Sequence, residues 1–228
     1  MKTIRWGILG LGKIAHSFAS DVALVEGSEV YAVASRSQEK ADRFGATYSA
    51  SKCYNSYEQL AKDPNVDAVY IATPHVRHHQ DTLLCLKHKK AVLCEKPFAM
   101  NRSQVEEMIT TAQANDTLLM EALWTRFMPH FKFVKEELAS GRYGAVKTLT
   151  ADFCFEADFN PEGRLFNKAL GGGSLLDIGI YPIFCALALL GKPDSFEAKA
   201  KIGKTGVDEE IEMTFKYNSG TTAFLNSS

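Results

Sequence analysis

The sequence has no surplus of either charge and no long uninterrupted apolar run. Among its 228 residues, 26 Lys and Arg stand against 27 Asp and Glu, which leaves a formal net charge of −1. Such a chain has no basic surplus to neutralise a phosphate backbone, so we expect no nucleic acid among its partners. The longest apolar run, YPIFCALALL at 181–190, is shorter than the ~20 residues of a membrane span, so we expect no membrane partner.

Cysteine is also scarce, and its spacing disfavours two common uses of this residue. The five cysteines are odd in number and include no C-x-x-C pair, so neither a disulfide framework nor a zinc site is expected. They are typical of reduced, packed thiols. Lys13 and several glycines interrupt the N-terminal apolar residues, which argues against a secretory signal. We therefore expect a cytoplasmic protein.

The first half of the chain, residues 1–123, alternates apolar runs with amphipathic patterns. The expected strands are 3–10, 29–35, 67–74, 91–97 and 117–123, and the expected helices are 13–25, 38–45, 76–89 and 102–115. Near-continuous apolar strands joined by helices favour a parallel sheet covered on both faces. We predict an α/β fold whose N-terminal domain is a doubly wound parallel Rossmann sheet.

The pattern changes in residues 124–228, for which we predict an α+β domain with a mostly antiparallel open sheet. Residues 145–159 alternate polar and apolar side chains with period 2, and helices are expected at 130–140 and 174–190. Further strands are expected at 195–203, at 209–217 and in the final TTAFLNSS. That last strand has no later partner, so we expect an unpaired sheet edge, and hence a truncated domain or a covering partner.

A candidate dinucleotide fingerprint lies at the first strand-to-helix junction. The hexapeptide GLGKIA matches G-x-G-x-x-G/A at Gly10, Gly12 and Ala15, in the strand–turn–helix context that the motif requires. The helix N-terminus offers free N–H groups to a pyrophosphate. The alternative is a plain tight turn. The expected cofactor contacts in this loop are Gly10, Leu11, Gly12, Lys13 and Ile14.

The residues after the second strand indicate which dinucleotide is preferred. NAD-binding sites usually place Asp or Glu there to bind the ribose hydroxyls, whereas this chain has Ser35 and Arg36, with Lys40 in the first turn of the next helix. A 2′-phosphate would pair with these cations. We therefore predict NADP(H) in preference to NAD(H); a solvated Arg–Lys surface is the alternative.

Polar and charged clusters follow three of the predicted strands, where ligands bind in open parallel sheets. They are TPHVRHH at 73–79, EKP at 95–97 and EALWTRFMP at 121–129. Glu95 and Lys96 stand where charge can meet a ligand at the end of a buried strand, and Pro97 can adopt a cis bond that directs Lys96. From position alone, a solvated charge pair is an equally good interpretation.

A fourth cluster, GGGSLLDIGIYP at 171–182, places a carboxylate in apolar surroundings. Asp177 and Tyr181 are spaced i, i+4 and share one face of a helix. An Asp in such a stretch is capped, paired or functional. A structural helix cap is the alternative to a functional role.

These pieces occur in the order typical of one known family. The segments GLGKIA, ASR, ATPHVRHH, CEKP, MEALWTRFMP and GGGSLLDIGIYP make the sequence resemble the glucose-fructose oxidoreductase/inositol dehydrogenase (Gfo/Idh/MocA) family, to about residue 190. The closest branch is that of dimeric dihydrodiol dehydrogenases and NADP-dependent D-xylose dehydrogenases. The resemblance implies a homodimer formed through the C-terminal sheet and a sugar or polyol substrate.

The resemblance also implies roles for individual residues. The family's EKP lysine falls on Lys96 and its motif aspartate on Asp177; Tyr181 stands where many members have an acid/base His, as in the dihydrodiol branch. The implied substrate residues are Trp124, Phe155, Asp177 and Tyr181. The expected cofactor contacts outside the fingerprint and the second strand are Thr73, Pro74, His75, His78, Glu95, Lys96, Trp124 and Arg126.

The chemistry of these residues agrees with the oxidation of a CH–OH group. The reaction needs a hydride acceptor and a base for the hydroxyl proton. A phenol, with a pKa of about 10 in model compounds, is a poor base at neutral pH, and a nearby ammonium favours the phenolate. We therefore predict Tyr181 as the proton-transfer residue, Lys96 as its electrostatic partner and Asp177 as the carboxylate that positions the hydroxyl.

Three alternatives stay open at this point. His75, His78 and His79 could chelate a metal, but no nearby Cys or carboxylate completes a set, so we expect none. A catalytically inactive or truncated dinucleotide-binding protein, such as a sensor or subunit, is a second alternative. The third is NAD-dependent glycoside cleavage, which occurs on the same scaffold and which the Ser35–Arg36 pair disfavours.

Overall fold

A computed structural model describes residues 3–228 and divides the chain into two compact units. The first unit ends at Ala122, and the second comprises Leu123–Ser228. Each unit contains its own sheet and its own apolar core.

The first unit is the predicted doubly wound α/β fold. Its six parallel strands follow the order β3-β2-β1-β4-β5-β6, the arrangement of a dinucleotide-binding Rossmann sheet. The strands are β1 (Ile4–Leu9), β2 (Ser28–Ala34), β3 (Lys52–Tyr54), β4 (Ala68–Ile71), β5 (Ala91–Glu95) and β6 (Leu119–Ala122). The helices are α1 (Lys13–Val22), α2 (Gln38–Tyr48), α3 (Tyr57–Lys62), α4 (His75–Lys87) and α5 (Arg102–Ala114).

Two apolar clusters cover the two faces of this sheet, which is why its strands are apolar on both sides. Ile8 and Val33 belong to the cluster that includes Ala15 and Ala19 of α1, whereas Leu9 and Ile71 belong to the cluster that includes Leu86 of α4. Successive strand residues point to opposite faces, so burial on both sides requires a continuous apolar run. With both faces covered, the carboxyl ends of the strands are the part of the sheet open to a ligand.

The second unit contains a mixed four-stranded sheet. Its elements are a 3-10 turn (Trp124–Phe127), α6 (Pro129–Ala139), β7 (Thr148–Phe153), α7 (Ile180–Leu190), β8 (Ser195–Ile202), β9 (Asp208–Lys216) and β10 (Thr222–Ser227). The strand order is β7-β10-β9-β8, antiparallel except for the parallel pair of β7 and β10. The expectation that the final strand is an unpaired edge was wrong, because β10 lies between β7 and β9. Sequential order does not reveal a strand that inserts between two earlier ones.

The core of the second unit lies between α7 and one face of this sheet. Ala186 of α7 packs with Ile211, Met213 and Phe215 of β9 and with Leu225 of β10. These strand residues alternate with exposed or half-buried ones, as a sheet with one covered face requires.

The helix that follows the glycine run begins differently from the prediction. Residues Leu175–Gly179 form a π-helical turn before α7, a feature that is frequent at functional sites. Asp208 of β9 accepts a hydrogen bond at 2.6 Å from the backbone N–H of Leu175. Gly173 lies at φ +125°, and a Cβ there would be 2.3 Å from Asp208 Oδ1. The glycine therefore lets a carboxylate from a distant strand cap the helix at Leu175.

The stretch Lys168–Leu190, which contains this turn and α7, is the one helical segment among residues 3–228 whose length and composition would also suit a membrane span. A core helix has the same composition, and Ala186 packs against the sheet. The five cysteines are all free, with Cys85 and Cys94 buried and Cys154 exposed.

Candidate active site

The loop between β1 and α1 has the form that a dinucleotide pyrophosphate requires. Gly10 adopts φ +84°, and a Cβ there would lie 2.7 Å from the backbone of Ala72 and Thr73, so only glycine fits. A Cβ on Gly12, in contrast, would have no neighbour within 4 Å among the described residues, which leaves its backbone accessible. No side chain caps the start of α1 in the described part of the chain, so the first N–H groups are available to an anion. These features fit a bound dinucleotide.

The segment after β2 presents two cations at the start of α2. Ser37 caps this helix, its Oγ accepting from the backbone N–H of Lys40, and Arg36 and Lys40 are both exposed. Ser35 Oγ accepts from the backbone N–H of Ser37 at 3.3 Å, which tightens the turn. The predicted 2′-phosphate contacts therefore lie together on one exposed turn.

Half-buried carboxylates hold the backbone on both sides of Lys96. Glu95 Oε2 accepts from the N–H of Lys96 at 3.2 Å, and Glu121 Oε1 accepts from the N–H of Phe98 at 2.9 Å. The Tyr70 hydroxyl donates a hydrogen bond to the other carboxylate oxygen of Glu95, Oε1. The β5–β6 register, which pairs Cys94 with Glu121, places these carboxylates on adjacent strand ends. The cis Lys96–Pro97 segment is thus fixed by side chains rather than left as a loop.

His78 connects two of the strand ends. It is buried, and its Nδ1 and Nε2 lie 2.7 Å from the carbonyl oxygen of Pro97 and 2.8 Å from that of Thr73. Burial lowers the pKa of His78, while the two carbonyl acceptors raise it. His78 therefore supports the loops that carry Thr73 and Lys96.

The electrostatics of this cluster are set by burial. Burial raises the pKa of Glu95. The hydrogen bonds from the Tyr70 hydroxyl and the Lys96 N–H, together with the Lys96 ammonium, lower this pKa by a smaller amount. Burial likewise raises the pKa of Glu121, and the neighbouring Glu95 adds to that rise. Two carboxyls that disfavour each other's ionisation therefore flank one ammonium.

The second unit brings Asp177 together with a residue that sequence analysis missed. Arg164 Nη1 donates to Asp177 Oδ1 at 2.8 Å, and the two side chains are 60% and 8% exposed. Arg164 lies in the loop whose backbone contacts the glycine run: Gly173 N–H donates to Leu165 O at 3.0 Å. No sequence signal singled out Arg164, because its pairing depends on this loop folding back on the glycines.

An aromatic cluster surrounds Tyr181 in the same unit. Trp124 Nε1 donates to Tyr181 Oη at 3.3 Å, and the Phe153 ring lies 5.3 Å from that of Tyr181. Phe155 follows at 6.5 Å from Phe153. The structure therefore groups three predicted substrate residues, Trp124, Phe155 and Tyr181, and adds Phe153, which the period-2 spacing from Phe155 could have indicated.

A cavity of about 320 Å³ lies beside this cluster within the second unit. Phe155, Phe159 and Phe166 form apolar walls, and Asp177 opens into it. Asp208 and Glu209 also line it. Aromatic walls with several carboxylates suit a neutral ligand that offers hydroxyl protons.

The predicted catalytic residues are divided between the two units. Lys96 belongs to the first, and Asp177 and Tyr181 belong to the second. Trp124 and Arg126, predicted as cofactor contacts, lie in the 3-10 turn of the second unit. The convergence of these groups on one molecule stays a prediction.

The histidines have separate partners. His79 Nε2 lies 2.8 Å from Glu107, His78 bonds to backbone carbonyls, and the His75 ring lies 5.7 Å from that of His78. Within residues 3–228 no group of three His, Cys, Asp or Glu side chains is arranged to hold a metal ion.

Two family models cover nearly the whole chain. The model described as an oxidoreductase family with an NAD-binding Rossmann fold matches residues 4–123, and the GFO/IDH/MocA C-terminal domain matches residues 131–228. The matches agree with the family resemblance inferred from the motifs.

Curated relatives include trans-1,2-dihydrobenzene-1,2-diol dehydrogenases. The mouse protein is 40% identical over 95% of this chain, and the zebrafish protein is 43% identical over 94%. The chain spans 66% and 65% of the lengths of these two relatives.

Solved structures show the same fold. KijD10 from Actinomadura kijaniata, a 3-ketoreductase in complex with NADP and TDP-benzene, matches with a TM-score of 0.91 and 30% identity over 99% of this chain and 70% of that chain. The aldose-aldose oxidoreductase of Caulobacter crescentus, complexed with glycerol, matches with a TM-score of 0.92 and 30% identity over 100% of this chain and 71% of that chain.

The Tyr70–Glu95 pair makes a pH-dependent stability prediction. Replacing Tyr70 with Phe removes a hydrogen bond that lowers the pKa of Glu95, so this already raised pKa should rise further. A carboxyl with a raised folded-state pKa contributes stability while it is protonated, and this contribution is lost as pH rises through the folded pKa. Tyr70→Phe should therefore cost about 1–3 kcal/mol at neutral pH and less near about pH 5.

Urea denaturation at the two pH values measures this difference. The control is Tyr217→Phe, which removes a hydrogen bond of 3.2 Å to the neutral carbonyl of Gly191 and should show the same small loss at both. An equal loss at both pH values for Tyr70→Phe would contradict the assigned coupling.

Proposed function

This chain belongs to the GFO/IDH/MocA family of oxidoreductases, and from that premise we propose that it is an NADP(H)-dependent oxidoreductase acting on a CH–OH group of a sugar or cyclic diol. The observation that carries the proposal is the grouping of buried Asp177 with Tyr181 at the start of one helix, beside an aromatic cavity. A carboxylate accepts a substrate hydroxyl proton, and a phenol can exchange one.

The residues of the first unit would hold the cofactor. The loop Gly10–Ile14 binds the pyrophosphate, Ser35, Arg36 and Lys40 bind the 2′-phosphate, and the strand-end residues Thr73, Pro74, His75 and Glu95 flank the rest. When bound, the nicotinamide supplies the hydride acceptor or donor. His78, Glu95 and Glu121 keep the backbone around Lys96 in one conformation, so its ammonium is presented in a fixed direction.

The residues of the second unit would handle the substrate hydroxyl. Asp177 accepts a hydrogen bond from it, Tyr181 takes its proton during oxidation, and Lys96 stabilises the phenolate as its electrostatic partner. Trp124 Nε1–H donates to Tyr181 Oη and so helps to hold that oxygen in place. In reduction, Tyr181 returns the proton to the forming alkoxide.

The cavity and the relatives support the proposed substrate class. The carboxylates of Asp177, Asp208 and Glu209 around the cavity disfavour anionic sugars such as sugar phosphates. Relatives named for a cyclic diol and for aldoses support a neutral sugar or cyclic diol. The reduced thiols of the chain are consistent with action in the cytoplasm.

Loss of the Lys96 ammonium should abolish turnover. Lys96→Met keeps a long side chain but removes the charge, so kcat should fall by about 10²–10⁴-fold while NADPH affinity changes little. The assay follows absorbance at the reduced-nicotinamide band with NADP+ and a panel of aldoses, inositols and cyclic diols. The matched control, Lys87→Met on the exposed end of α4, should keep full activity. Full activity in Lys96→Met would refute the assignment.

The dinucleotide preference should depend on Arg36. Arg36→Ala removes a charge-assisted contact to the 2′-phosphate, so the affinity for NADPH should fall by about 10–100-fold and that for NADH should change far less. Fluorescence titration with both dinucleotides measures the ratio. Arg43→Ala, which removes an exposed cation paired with Glu39 on the same helix, is the control. Unchanged discrimination in Arg36→Ala would contradict the NADP(H) preference.

The family resemblance also leads us to propose a homodimer formed through the second sheet. The face that carries Phe224 supports this, because Phe224 is exposed there on a central strand. Light scattering of the purified protein should give the mass of a dimer. Phe224→Lys places a charge on the proposed interface, so the mass of this variant should shift towards that of a monomer. A monomer for the unmodified protein would contradict it.

A further inference from the structure

The ion pair between Arg164 and Asp177 is unusually asymmetric. The Asp177 side chain is 8% exposed and the Arg164 side chain is 60% exposed, with 2.8 Å between Nη1 and Oδ1. A surface ion pair with both partners exposed contributes little. A carboxylate held almost out of water, however, is ionised only if donors compensate the lost hydration, and this guanidinium is one such donor.

The backbone around Arg164 is fixed to the motif that carries Asp177. Gly173 N–H donates to Leu165 O at 3.0 Å, and Gly172 N–H donates to Asn167 O at 3.0 Å. A Cβ on Gly172 would lie 2.6 Å from Leu165 O and 2.9 Å from Arg164 O. The loop and the glycine run therefore approach so closely that no side chain fits at Gly172, and two backbone hydrogen bonds join them.

The residues that follow Arg164 in the sequence line the cavity of the second unit. Leu165 and Phe166, which follow it directly, line the cavity together with Asp177. A guanidinium has five N–H donors, and Arg164 uses one of them on Asp177. Because Nη1 lies 2.8 Å from Asp177 Oδ1, the charge of Arg164 acts beside a carboxylate that lines the cavity.

We propose that Arg164 is a positioning residue for the reaction: by holding Oδ1 of Asp177, it fixes the orientation of the carboxylate that binds the substrate hydroxyl. This inference rests on the proposed function. A planar guanidinium sets both the distance and the plane of a bound carboxylate, which an ammonium cannot do. A displacement of about 1 Å in such a group costs about 100-fold in rate.

The test compares Arg164→Ala, Arg164→Lys and the unmodified protein with the most active substrate of the panel. In Arg164→Ala, kcat should fall by about 10–100-fold with a smaller change in KM, and NADPH affinity should be retained. Arg164→Lys should recover only part of the loss. Added guanidinium ion should raise kcat of Arg164→Ala by about tenfold and leave the unmodified protein unchanged.

The control is Arg142→Ala in the same unit, where Arg142 is 66% exposed and its Nη1 lies 3.2 Å from Glu137. It should keep full kcat and show no response to guanidinium. Thermal unfolding of all variants separates a folding defect from a positioning defect, because a purely structural role predicts a lower Tm without rescue by guanidinium.

The outcomes separate this inference from the proposed function. If the unmodified protein turns over no substrate of the panel, the proposed oxidoreductase function and the positioning role of Arg164 are both wrong. If it is active and Arg164→Ala stays within about twofold of it, or loses activity without any guanidinium rescue, the positioning role is wrong while the oxidoreductase proposal stands.

Discussion

Three carboxylates shielded from water to different degrees, each held by particular donors, are the constraint on which both halves of the proposed site depend. Asp177 is buried and Glu95 and Glu121 are half-buried, and an isolated carboxylate shielded from water is destabilising. Each is compensated locally: by the Tyr70 hydroxyl and the Lys96 N–H, by the Phe98 N–H, and by Arg164. These hydrogen bonds compensate the lost hydration of the carboxylates, and they also fix the positions of the groups that donate them.

In both units, side chains hydrogen-bond to the main chain next to the proposed site residues, but the segments they hold differ. In the first, carboxylates and His78 bind the main chain where strands β4 and β5 end, so the segment around Lys96 has one conformation. In the second, Asp208 caps the helix start from a distant strand, and the glycine run allows that approach. Side chains that are remote in sequence thus determine the direction of the residues proposed to react.

A tyrosine as the proposed proton-transfer group places demands on its surroundings. A phenol releases its proton less readily than an imidazolium does, so its oxygen needs donors or a cation. Trp124 provides one donor within the second unit, and the proposed ammonium of Lys96 would provide the charge. The exposed Arg164 beside Asp177 adds a cation near a cavity whose aromatic walls are accompanied by three carboxylates, those of Asp177, Asp208 and Glu209.

Local patterns were sufficient for most of the helices and strands and for choosing the residues proposed for the site. The apolar runs at β1, β4 and β5, the GLGKIA turn and the i, i+4 spacing of Asp177 and Tyr181 are set within a few residues, where period and backbone sterics decide. The parallel sheet followed from them, although its short strand β3 (Lys52–Tyr54) was not among the five predicted strands. Phe153, two residues from Phe155, was within reach of the same reasoning.

Tertiary structure alone decided the contacts that join distant segments. The insertion of β10 between β7 and β9, the cap from Asp208 to Leu175, the Glu121–Phe98 bond and the Arg164–Asp177 pair all depend on which chains lie side by side. Nothing in the spacing of residues 164 and 177 distinguishes this arginine from others in the chain. Pairing over such separations is selected by the packing of the whole unit, because many local patterns are compatible with several partners.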